Sequence, residues 1–270
     1  MTTRLIDDAG QHHQPVETGA KILSLVPSLT ELLFDLGLGA SIIGRTDYCI
    51  HPDPLVCDVP SVGGTKQIDL QKVAVLAPTH ALVNIDETPK EMAQALTGLG
   101  IEVIVTHPLS IIDNRQLFEL IGTIFNAQDK ATSLIQDFDS ALTDLRDRAS
   151  SFPEQRVLYL IWRKPWMSIS AETYIAAVLA EAKMRVIEHT DPARYPEITL
   201  DEKLLQGVDR VLFSTEPFPF KPKHLDTFAR EFPAHTHKAC LIDSEMVSWY
   251  GSRAVPGLRY LANFTTGLSP

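Results

Sequence analysis

Trp249 and Tyr250 stand side by side in the stretch DSEMVSWYGSR (243–253), with Arg253 three residues on, directly after the apolar run ACLID (239–243). Rings and a cation at the point where a strand runs out suit stacking and ion pairing with a ligand better than they suit a core. The same chemistry recurs at other strand ends. RVLYLIW (156–162) is followed by Arg163, Lys164, Pro165 and Trp166, and SIIGR (41–45), which ends on Arg45, by Thr46, Asp47, Tyr48 and Cys49. Gly63, Gly64, Thr65 and Lys66 stand in SVGGTKQIDL, and PFPFKPKH (217–224) follows FSTE. All three tryptophans, Trp162, Trp166 and Trp249, fall at strand ends in the second half of the chain. Aromatic walls with a few cations suit a large flat ligand that carries polar groups. Any single ring is as well explained by packing against a loop; their co-location is what points to a binding cleft.

Signatures of catalysis are scarce. The chain has no G-x-S-x-G, Walker loop, G-x-G-x-x-G or H-E-x-x-H. VGGTK (62–66) reads as a turn rather than a phosphate cradle, because no apolar strand runs directly into it. Asp47, Glu216 and Glu245 sit at strand exits as candidate acids or bases, but nothing pairs them with a nucleophile. His12 and His13 lie in the N-terminal tail, and His235-x-His237 lies in the polar loop FPAHTHKAC; both pairs read as solvated histidines, and no metal site is expected.

The elements that would carry these residues alternate. Candidate strands are KILSL (21–25), SIIGR (41–45), HALVN (80–84), EVIVT (102–106), RVLYLIW (156–162), RVIEH (185–189), RVLFS (210–214) and ACLID (239–243). Helical patterns separate them, which predicts parallel sheets built from βαβ units. Ser28 with Glu31, Thr88 with Glu91 and Thr199 with Glu202 have capping-box spacing, Pro89 suits a first helical position, and Gly37 suits a helix stop. Over residues 127–151, apolar residues at 131, 134, 135, 138, 141, 142 and 145 form one helical stripe, with Asn126 placed to cap its start. The fold class predicted is α/β: two Rossmann-like lobes with parallel sheets joined by a single long helix. Residues 1–19 are expected to be a disordered lead, 20–126 the first lobe, 127–151 the linking helix and 152–270 the second lobe. Ligands of parallel sheets bind beyond the carboxyl ends of the strands, so two facing lobes would gather the exits around one cleft.

The bulk numbers agree with a ligand-binding α/β protein. The 270 residues carry a net charge of −10, which argues against nucleic acid and anionic membrane as partners. No apolar run approaches the ~20 residues of a membrane helix. The polar N-terminus lacks the apolar core of a secretory signal, so the chain as written is expected in the cytoplasm, or outside it if the N-terminus is incomplete. Three cysteines, Cys49, Cys57 and Cys240, without CxxC spacing read as reduced thiols. A Cys49–Cys57 bridge is conceivable for an exported chain.

KILSLVPSLTELLFDLGLGASIIGRTDYCIHP, continued by VPSVGGTKQIDLQKVAVLAPTHALV, resembles the opening of the substrate-binding proteins of ABC importers for iron-siderophores, haem and vitamin B12. IWRKPWMSISAETYI and EMVSWYGSR are similar to the cobalamin-binding branch, and the resemblance spans roughly residues 20–268. It implies two lobes on a helical backbone, with the corrin sandwiched by aromatic residues of both. By position it places Tyr48 and Tyr195 on ring contacts and Trp249 near the ligand. The sequence departs from the family where a further first-lobe tryptophan is usual and Gly63-Gly64 stands instead. The resemblance also implies a glutamate on each lobe for docking on a permease; the matching positions are Gln71 and Asp201.

The function expected is non-enzymatic binding of cobalamin or a related corrinoid or tetrapyrrole as ligand, with no catalytic cofactor, by a monomer that feeds an ABC importer. Tyr48, Trp166, Tyr195 and Trp249 would supply stacking walls, Arg45, Arg163, Lys164 and Arg253 the polar rim, and Gly64 and Tyr250 are further candidate ligand-binding residues. The alternatives are a haem or iron-siderophore binding protein, or a cytoplasmic corrinoid-handling enzyme using Asp47 or Glu245.

Overall fold

The computed structural model describes residues 5–17 and 19–267. The chain divides into two compact units. The first comprises residues 1–108, 112–137 and 250–253, and the second 109–111, 138–249 and 254–270.

In the first unit the order is β1 (Ile22–Ser24), α1 (Pro27–Asp35), β2 (Ile42–Arg45), α2 (Leu70–Leu76), β3 (His80–Asn84), α3 (Lys90–Gly98), β4 (Glu102–Thr106) and α4 (Asp113–Ile124). The four strands form a parallel sheet in the order β2-β1-β3-β4. Parallel strands covered on both faces are apolar runs rather than alternating ones, and β3 is buried along its whole length. The core packs Leu23, Leu25, Ala81, Val83 and Val103 of the sheet against Val62, Val73, Leu96 and Ile101.

Helix α5 (Gln128–Ser150) follows, and the division between units falls within it, at Asp137/Phe138. Its stripe is as expected: Ala131, Phe138, Ala141, Leu142 and Leu145 are all buried.

The second unit contains β5 (Gln155–Arg163), β6 (Trp166–Ser168), α6 (Tyr174–Glu181), β7 (Met184–Val186), α7 (Glu202–Gln206), β8 (Arg210–Ser214), α8 (Pro222–Glu231), β9 (Ala239–Ile242), α9 (Glu245–Ser248) and α10 (Ala254–Gly267). Strands β7, β8 and β9 are parallel to their neighbours, with β5 between β7 and β8. β6 is antiparallel to β5, closing a hairpin through Lys164 and Pro165 that the strand pattern does not announce. The core gathers Leu158, Leu160, Val211, Phe213, Phe220, Phe228 and Phe232.

All eight predicted strands are present, but three other expectations are corrected. Residues 5–17 are a docked segment, not a disordered lead: His13 and Asp7 are buried, and the Val16 N–H donates to the Ile124 carbonyl at 2.8 Å. The capping boxes are not where the spacing put them. Pro27 occupies the first turn of α1, where its missing N–H is no loss, so Ser28 lies inside the helix. α3 starts at Lys90 without a side-chain cap. At α7 the cap is Asp201, whose carboxylate accepts the Leu204 N–H at 2.8 Å. Asn126 adopts a left-handed φ of 56° between α4 and α5, and its amide donates to the Val16 carbonyl at 2.7 Å. Gly37 does stop α1, with φ +77°. The two units also differ from the expected bounds, because Tyr250–Arg253 fold with the first.

Candidate functional site: the strand-exit rims

In the first unit, the loop after β2 is strapped to the turn at 61–64. The Asp47 N–H donates to the Gly63 carbonyl at 2.7 Å, and Ser61 donates its hydroxyl to the Asp47 carboxylate. This holds Tyr48 outward at 63 % exposure. Its ring edge lies against Gly64: a Cβ there would stand 3.5 Å from Tyr48 Cε2. Ile50 from the same loop and Ile85 after β3 are exposed as well, and Lys66 Nζ donates to the Asp86 carbonyl at 3.0 Å. Arg45 is not a rim cation. Its Nε donates to the Val56 carbonyl and its Nη1 to the Thr46 carbonyl, both at 3.0 Å, so it staples its own loop. Cys49 is buried beneath Thr30 and Thr46, where burial pushes its thiol up, and Cys57 is exposed beside Asp53.

Tyr250 and Arg253 belong to this unit too, and both bond to side chains of it. Tyr250 is 7 % exposed and donates its hydroxyl to Glu87 Oε1 at 3.3 Å; burial, then the charge of Glu87, raise its phenol well above the ordinary range. The Gly251 N–H donates to Asn114 Oδ1 at 2.7 Å, and Arg253 Nε to Glu31 Oε2 at 2.7 Å. Gly251 has φ +81°, and a Cβ would meet the Ser28 carbonyl oxygen at 3.2 Å. These four residues are a clip that the sequence presents as a ligand loop.

In the second unit, Trp162, the penultimate residue of β5, is 39 % exposed, with its ring edge-on to Phe218 at 5.5 Å. Arg163 follows, opposite Trp166 in the hairpin. Trp166 is half-buried against the core: it stacks on Phe220 at 6.1 Å and stands edge-on to Phe213 at 6.4 Å. Tyr195 is 41 % exposed. Its neighbours hold it along β6, since the Ser168 N–H donates to the Pro196 carbonyl and Ser170 to that of Arg194. Trp249 is half-buried at the end of α9. His224 lies edge-on to Phe218 and Phe220, at 5.4 and 5.5 Å. Burial, then the charges of Arg163, Lys223 and Lys221, hold His224 below the usual imidazole range.

Sequence reasoning thus named Tyr48, Gly64, Arg163 and Tyr195 singly, took in Phe218 and His224 only within the stretch PFPFKPKH, and did not name Ile85. It also listed Trp162 only among the strand-end tryptophans. The hydrophobic tetrad PFPF beside two lysines was the available signal. Among the described residues, no group of three or more His, Cys, Asp and Glu side chains is placed to hold a metal ion. His235 is buried and pairs with Glu202 at 2.7 Å, rather than standing in solvent. Gln71 is exposed in the first turn of α2. Asp201 is exposed but committed to its cap. A cavity of about 740 Å³ in the second unit lies away from Trp162, around Arg156, His189, Asp191 and Lys203.

Two α/β sheets, parallel except for β6, carry solvent-facing rings near their strand ends, and a long helix runs from one unit into the other. The chain belongs to the periplasmic binding protein family, which matches residues 22–210. It is 21 % identical over 194 residues to the vitamin B12-binding protein of Photorhabdus laumondii, covering 72 % of this chain and 70 % of that one. To the uncharacterized ABC transporter substrate-binding lipoprotein YvrC of Bacillus subtilis it is 26 % identical over 269 residues, covering 95 % and 83 %. Its fold matches the periplasmic vitamin B12 binding protein BtuF of Vibrio cholerae with a TM-score of 0.80 at 17 % identity, over 93 % of this chain and 98 % of that one. It matches the apo periplasmic heme-binding protein RhuT of Roseiflexus with a TM-score of 0.77 at 17 % identity, over the same shares. Among the described residues no helix is long and apolar enough to cross a membrane.

Proposed function

We propose that this chain is a non-enzymatic binding protein for a corrinoid or related tetrapyrrole and supplies it to an ABC permease. The observation that carries this reading is the set of solvent-facing rings, Tyr48 on one unit and Trp162 and Tyr195 on the other, each at or beyond the end of a strand. A single exposed ring is ordinary on a protein surface; that these three all fall at strand exits is what suits a flat ligand. Membership of a binding-protein family and relatives named for vitamin B12 support the ligand class. The relatives' names, periplasmic and lipoprotein, support action outside the cytoplasm. A permease would meet an amide at Gln71 and a capping carboxylate at Asp201, so docking would not rest on a carboxylate at each of these two positions.

The haem alternative is favoured by heme-binding neighbours of the same fold. Titration of the purified chain with cyanocobalamin and, separately, hemin separates the two, followed by quenching of tryptophan fluorescence. Saturable binding of cyanocobalamin is expected. Trp162→Ala should weaken it about tenfold, the worth of one aromatic stack of ~1.4 kcal/mol. Saturable binding of hemin alone would shift the ligand to haem, and binding of neither would overturn the reading.

A further inference from the structure

The chain is acidic as a whole, at −10, yet the rim around Trp162 is basic. Arg163 is the last residue of β5 and Lys164 opens the turn to β6, and Lys221 and Lys223 flank Pro222 at the start of α8. His224 ties these pieces together. Its Nδ1 accepts the Lys221 N–H at 2.8 Å, its ring edges onto Phe218, and Phe218 edges onto Trp162. Lys221 and Lys223 stand three residues and one residue before His224, and Arg163 is next to Trp162, so three cations flank one small group of rings. Both lysines are exposed, so their charges are available to a ligand. The rim of the first unit is different in kind: Tyr48, Ile50 and Ile85 present apolar surface, and the ammonium of Lys66 is held by a backbone carbonyl.

Resting on the proposed function above, we infer that Arg163, Lys221 and Lys223 beside Trp162 select a flat macrocycle bearing free carboxylates at its edge over the same macrocycle with those groups esterified or amidated. The rings supply stacking that is indifferent to charge. The cations add attraction only for an acidic edge, and because they are exposed, salt screens that attraction.

The test uses dicyanocobyrinic acid and its methyl ester, which share one macrocycle and differ in charge. Cyanide occupies both axial positions, so no side chain competes for the cobalt. Affinity is read from tryptophan fluorescence at low salt and at ~0.5 M salt, where the Debye length falls to a few ångströms. The free acid is expected to bind at least tenfold tighter than the ester at low salt, with the ratio falling towards one in high salt. The double variant Lys221→Gln, Lys223→Gln should cut the preference severalfold while leaving ester affinity unchanged, and adding Arg163→Gln should abolish it. Equal affinity for acid and ester overturns the inference and leaves the proposed function standing. A preference undiminished in the double variant, with unchanged far-UV circular dichroism, also overturns it. Binding of neither compound overturns the functional reading itself.

Discussion

Glu87 follows β3, where its carboxylate accepts the Tyr250 hydroxyl at 3.3 Å. Burial raises it to about 7, against the opposing pull of the Tyr250 bond and of Lys66, with Asp86 adding to the rise. A carboxyl that titrates higher in the folded chain than in the unfolded one binds its proton more tightly when folded. Its contribution is therefore fully present below the ordinary carboxylate value and is lost as pH rises to about 7. Glu87→Gln removes that loss. Urea midpoints measured from pH 5 to 8 should fall for the parent chain and stay flatter for the variant, which should be the more stable by ~2 kcal/mol at pH 8. Coincident profiles would show that Glu87 does not titrate there. The same neighbourhood shows what single residues hide in a sequence. Trp249 and Tyr250 are adjacent and chemically alike, yet one is half-buried in the second unit and the other is buried in the first. Trp162 and Trp166 likewise look equivalent at a strand exit. The β5–β6 hairpin turns Trp166 onto Phe213 and Phe220 and leaves Trp162 outside. Residue type announced the rim; which ring faces out depends on partners tens of residues away.

The segment over residues 5–17 makes the same point for an element. Asp7 folds it back on itself, accepting the Ala9 and Gln11 N–H groups at 3.0 and 2.8 Å, and pins it to β4 by accepting the Val105 N–H at 2.9 Å. His13 is clamped between Asp7 at 3.1 Å and Glu102 at 2.6 Å. Burial pushes the imidazole down, but the two carboxylates outweigh it and His13 ends above its ordinary range. A histidine raised by folding stabilises below its unfolded value, and the contribution is lost as pH rises through the folded value. His13→Ala should destabilise the chain by ~1–2 kcal/mol at pH 6 and by less at pH 8. Amide exchange over residues 5–17 should quicken in parallel at pH 6; an unchanged exchange pattern would mean the segment is held by its backbone bonds alone. No period marks this stretch, and its partners lie about ninety positions along the chain, so polarity alone read as disorder. The strands were legible for the opposite reason: sheets covered on both faces demand apolar runs whatever the distant partner. Helix starts were legible only to within a turn, because proline and Asp201 took the positions that threonine and serine spacing suggested.

At the scale of the whole chain, connectivity matters more than any one contact. The first unit is not a continuous stretch: it is completed by Tyr250–Arg253, which arrive after more than a hundred residues of the second. Those four residues bring at least three bonds, Tyr250 to Glu87, the Gly251 N–H to Asn114 and Arg253 to Glu31. The Arg253–Glu31 pair is largely shielded, with side-chain exposures of 11 and 16 %. Removing one partner of such a pair costs up to several kcal/mol, because the other charge stays behind in a poor solvent. A fragment ending at Asp137 retains the whole parallel sheet β2-β1-β3-β4 but loses all three bonds together. Urea unfolding followed by far-UV circular dichroism should therefore give the fragment 1–137 a midpoint well below that of the intact chain. Adding a peptide of residues 245–258 should raise the midpoint, and the same peptide with Gly251→Val, whose side chain would crowd the Ser28 carbonyl at a positive φ, should not. A fragment as stable as the full chain would show that the sheet needs no clip, and that Tyr250–Arg253 are free to serve another role.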